Sequence, residues 1–141
     1  MNVKKTLRLI SIFFLFLNTF TFKSYNYSQT TAIVVISGIP TIKATTDVNG
    51  TNHNQVPDGE QWSYRLEIVH KGNKYYWASR ENRELLFNQS GVFYNFIEPN
   101  GAGYIRVYFA DNDVIYMEHM PIMLGHITYW GVANECSLPR L

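Results

Sequence analysis

The strongest constraint on this chain is an alternation that runs from Trp62 to Lys71 and ends in a Gly72-Asn73 pair. Trp62, Tyr64, Leu66, Ile68 and His70 fall on one side, with Ser63, Arg65, Glu67, Val69 and Lys71 on the other. Successive side chains of a strand point to opposite faces, so a period of two predicts a strand. Gly followed by Asn suits a two-residue hairpin loop, because Gly adopts the positive φ such a turn needs. Residues 61–80 are therefore expected to form a hairpin.

That turn sets the register. His70 should face Tyr75, Ile68 should face Trp77 and Leu66 should face Ser79, which puts the apolar sets on one face. A slip of one residue would scatter them. On the other face Lys71 meets Lys74 and Arg65 meets Arg80, with Glu67 and Tyr76 between them and Arg83 just beyond. Opposed like charges are unfavourable in a sheet. Two readings fit: a solvated face partly neutralised by Glu67, or a site for an anion or a sugar.

The rest of the chain continues the β pattern. Residues 31–37 (TAIVVIS) are β-branched, Gly38-Ile39-Pro40 is expected to break them, and 41–46 should form a further strand. Residues 47–60 (DVNGTNHNQVPDGE) read as loop, and 81–90 (ENRELLFNQS) as a short helical turn carrying Leu85, Leu86 and Phe87 inward. Strands are expected at 92–98, 104–110, 114–120 and 126–132. Short strands at intervals of about 8–12 residues with polar turns indicate an all-β, antiparallel sandwich or barrel of about 7–8 short strands.

Residues 1–27 have the layout of a secretion signal. Lys4, Lys5 and Arg8 precede the apolar run 9–22 (LISIFFLFLNTFTF), which is short for a bilayer span of about 20 residues. Cleavage is expected between Thr21 and Thr31, leaving a single β-domain over 28–141, no stable membrane span and an extracytoplasmic address, periplasmic or secreted. Outside the leader stand 8 basic and 11 acidic residues, a net charge of about −3 that argues against a nucleic-acid partner. Cys136 is the lone cysteine, so no internal disulfide forms.

Three functions compete. Arg65, Lys74, Tyr76, Arg80 and Arg83 on the hairpin, joined by Tyr104, Arg106 and Tyr108, are expected to bind a glycan, an acidic polymer or a protein of the cell envelope. Tyrosine rings stack on sugars and arginine binds oxyanions, and these three alternate with Ile105, Val107 and Phe109 along one strand. The second function is extracytoplasmic copper binding by Met117, His119, Met120, Met123 and His126, since thioether with imidazole suits Cu(I). Met also fills irregular core gaps, so the same cluster serves as packing. The third, a small hydrolase, would need His and carboxylate side chains to converge. No nucleophile elbow, His-Glu-x-x-His, phosphate loop or dinucleotide fingerprint is present, and no resident cofactor is expected for the binding module.

Overall fold

A computed structural model describes residues 30–141; the leader expected over 1–27 lies outside them. Nine strands follow one another: β1 (Ile33–Asp47), β2 (Gly50–Gln55), β3 (Leu66–Lys71), β4 (Lys74–Trp77), β5 (Arg83–Ser90), β6 (Phe93–Ile97), β7 (Tyr104–Ala110), β8 (Asp113–Ile122) and β9 (Gly125–Cys136). Every pairing is antiparallel. The order is β2-β1-β3-β4-β5-β6-β7-β8-β9, and β1 also pairs with β9. Eight strands thus close a barrel and β2 stands outside the ring, which settles the sandwich-or-barrel alternative.

The long β1 explains this arrangement. One edge pairs with β9 from Ile36 to Thr46. The other pairs first with β3, through Ile33–Gly38, and then with β2, from Ile42 to Asp47. The expected break at Gly38-Ile39-Pro40 does not occur. Register shifts at Ser37/Gly38 and Pro40/Ile42 absorb it as bulges, where a proline that cannot donate to the ladder is tolerated.

Other expectations are corrected. Six residues of the expected loop 47–60 form β2, fully exposed but paired with β1. Residues 81–90 are not helical: most of them form β5, with Leu85 buried (3%) and Leu86 turned outward (55%). The hairpin keeps its register, with Ile68↔Trp77, His70↔Tyr75 and Lys71↔Lys74. Its outer ends do not. Residues Gln61–Tyr64 wind into a 3-10 helix, because from Ile42 onward β2 occupies the β1 edge they would need. β4 ends at Trp77, and residues 78–82 turn across the mouth of the barrel, with Glu81 and Asn82 in the left-handed conformation (φ 59° and 54°).

An eight-stranded barrel has an interior just wide enough for side chains to fill. Here Trp77, Tyr94, Tyr116, Phe96, Ile36, Leu66, Ile68, Ile105 and Val107 fill it. The Tyr116 ring takes the space left by two glycines: its hydroxyl would lie 2.6 Å from a Cβ on Gly131, and its ring would collide with one on Gly38. The tail shuts one end. Ser137 N–H donates to the Val35 carbonyl (2.8 Å), Tyr94 Oη–H donates to that of Pro139 (2.7 Å), and Leu138 packs on the core.

Candidate functional site

The hairpin cations do not form one basic face. Lys74 Nζ lies 2.8 Å from Glu84, and Arg83 pairs with Glu98 (3.2 Å) and more loosely with Glu81 (3.8 Å). Arg65 lies over the exposed Trp62 ring at 5.2 Å. Tyr76 stays half-buried on β4. Lys74 and Tyr76 stand on β4 and Arg83 on β5, with β6 between them and β7, so these residues and Tyr104, Arg106 and Tyr108 are spread over several strands of the ring.

Arg80 has left the outside altogether. The turn over the mouth aims it inward, where Nη2 lies 3.0 Å from both carboxylate oxygens of Glu118. Trp77 Nε1–H donates to the same carboxylate at 2.9 Å, and Arg80 Nε–H approaches Met120 Sδ at 3.3 Å. Glu118 is fully buried. Burial pushes its carboxyl up to about 7, against the opposing pull of Arg80 and of the Trp77 hydrogen bond. Burial, followed by neighbouring Tyr64, likewise pushes Tyr129 up to about 12. These groups are sealed among core side chains. Their chemistry is that of an internal strut.

The exposed, organised chemistry lies on the outer face of β6 to β9. Cross-strand pairs place Asn95, Arg106, Met117 and Trp130 in one row. Because Glu118 and Ile105 point into the core, their chain neighbours point out. The Arg106 guanidinium lies 5.1 Å from the Phe93 ring and 5.9 Å from Tyr104. Its Nε–H donates to Asn95 Oδ1 (3.0 Å), and Asn95 is oriented in turn by its Nδ2–H bond to Asn88 Oδ1 (3.0 Å). Arg106 is exposed and has no carboxylate partner among the described residues.

The stripe continues across the strands. Tyr104 stacks on His119 (4.7 Å, 20°), and His119 leans on His126 (4.6 Å). Tyr108 meets Phe93 edge to face at 5.7 Å. His119 Nδ1 lies 3.2 Å from Thr128 Oγ1. Burial, then the neighbouring His126, lowers the His119 pKa, so the His119 ring resists protonation.

The Met/His residues do not converge. Met117, His119 and His126 lie on the outer face, Met120 turns inward to Arg80, and Met123 is 96% exposed at the β8–β9 tip. Among the described residues no group of three His, Cys, Asp or Glu is placed to share an ion. Glu118 faces in while His119 faces out. Cys136 is half-buried and burial pushes its thiol up, which disfavours a thiolate.

Sequence reasoning overlooked Phe93 and the buried Asn95 as neighbours of Arg106, and Glu118 as the partner of Arg80. A signal existed for Glu118. Tyr116, Glu118 and Met120 alternate on one face, so an acid stands where the pattern demands an apolar residue. Comparison with protein-family models, curated proteins and solved structures found no match to this chain.

Proposed function

We propose that this barrel is an extracytoplasmic binding module whose outer β6–β9 stripe takes an acidic glycan. One observation carries the reading. Arg106 is a solvent-exposed guanidinium, fixed by Asn95 and flanked by Phe93 and Tyr104, with no anion among the described residues to satisfy it. Such a group offers paired N–H donors to a carboxylate without first having to be ordered. The rings beside it offer apolar faces to the C–H side of a sugar. Tyr104, His119 and His126 extend the platform over three strands, so more than one ring can be seated. The apolar run 9–22 behind Lys4, Lys5 and Arg8 supports export to a compartment where such polymers occur.

The test is calorimetric titration of residues 30–141 with digalacturonate, and with cellobiose as the uncharged control. Saturable binding of the acid, weakened at least about tenfold by Arg106→Ala and barely recovered by Arg106→Lys, is expected, because an ammonium lacks the planar fork. Equal binding of acid and neutral sugar, or affinity indifferent to Arg106→Ala, would remove the reading. An acidic peptide that competes better than the uronate would move the assignment to a protein of the envelope.

A further inference from the structure

A cleft of about 460 Å³ opens on the outer wall at β1 and β3. Its wall is the 3-10 helix, which buries none of its residues and leaves Trp62 63% exposed. Arg65 lies over that ring, while Glu67, Ser37 and Asn134 line the floor. A tryptophan left in water at this cost, beside a carboxylate, an amide, a hydroxyl and a guanidinium, has the makings of a sugar subsite. Its indole gives an apolar plane, and the polar groups give hydrogen bonds to ring hydroxyls.

We infer that the Trp62 cleft binds a neutral pyranose ring. It is a subsite separate from the Arg106 stripe, because β3 and β7 are four strands apart on an eight-stranded ring and so stand on opposite walls.

An uncharged oligosaccharide tests the cleft. Cellohexaose, uncharged, should shift the Trp62 indole N–H resonance in a ¹H–¹⁵N spectrum and leave that of buried Trp77 unchanged. If the Trp62 signal does not move at millimolar cellohexaose, the cleft is not a sugar subsite. Calorimetric titration with cellohexaose should show Trp62→Ala binding at least about tenfold more weakly than wild type, with Trp62→Phe keeping part of the affinity and Arg106→Ala leaving it unchanged. Equal cellohexaose affinity of wild type and Trp62→Ala would overturn the proposal. Thermal unfolding of Trp62→Ala should match wild type, because the ring is not part of the core.

Discussion

Arg80 and Arg106 carry the same group into opposite circumstances. Arg80 reaches into the barrel, with its side chain 17% exposed and both Glu118 oxygens at 3.0 Å. Arg106 stands on the outer wall, held by an amide and two rings but by no charge. The first has its electrostatics resolved within the chain, at the expense of desolvating two ions. The second keeps its hydration until something else replaces it. An arginine whose charge is answered internally is committed to the fold, costly to remove because its partner would be left buried and unpaired, and one that is oriented but unanswered is available to a ligand.

The sharpest way to break the contrast is to remove one partner of the buried pair. Arg80→Ala leaves Glu118 without its cation, and denaturant unfolding at pH 7 should show a loss of about 3–5 kcal/mol. Part of that loss should return on acidification, as the carboxyl takes up a proton.

Titration gives the next largest effect. The native carboxyl of Glu118 is held up to about 7 from an ordinary 4.5. Between those values the folded chain binds a proton that the unfolded chain has released. This group's contribution is therefore full below about pH 4.5 and fades as pH rises through 7, by on the order of 3 kcal/mol. Glu118→Gln should flatten that slope, and an unchanged slope would assign the titration to another group.

Tyr116 offers a smaller, opposite effect. Its buried hydroxyl has no hydrogen-bond partner among the described residues. Tyr116→Phe removes the orphan group and keeps the ring between Gly38 and Gly131, so the midpoint of unfolding should rise, by about 1 kcal/mol in stability. Last comes Arg106→Ala, for which stability should stay within about 0.5 kcal/mol of wild type although binding is lost. A large stability loss there would dissolve the distinction between the two arginines.

The sequence made one arginine legible and hid the other. Arg106 sits in a strand whose alternation is unbroken, and the period of two alone puts it outward with Tyr104 and Tyr108. Arg80 was misplaced because the alternation of the hairpin was extended beyond Trp77, into a turn set by Glu81 and Asn82 rather than by pairing. Residues 61–64 failed for a non-local reason: β2 holds the edge of β1 they would have used, and no local pattern reports an occupied edge. The polar composition of 50–55 concealed β2 in the same way, since a strand that buries nothing needs no apolar residue. Stripe members contributed by separate strands, Phe93 and His119 among them, meet through the register of the β6–β9 pairings. Local alternation gives the face of each residue but not its cross-strand neighbours.

The seam between β1 and β9 has a kinetic consequence. Its partners, from Thr46↔His126 to Ile36↔Cys136, lie 80 to 100 residues apart along the chain. Hairpins β3 to β8 can zip one after another, each with its neighbour, but the ring cannot shut until β9 has left the ribosome and found β1. Closure must overcome the entropy of a very long loop before any contact rewards it, which places folding in the millisecond-to-second range of slow β topologies. Until then the β1 edge that will meet β9 is unsatisfied, so a holding chaperone would find its recognition segment at residues 36–46.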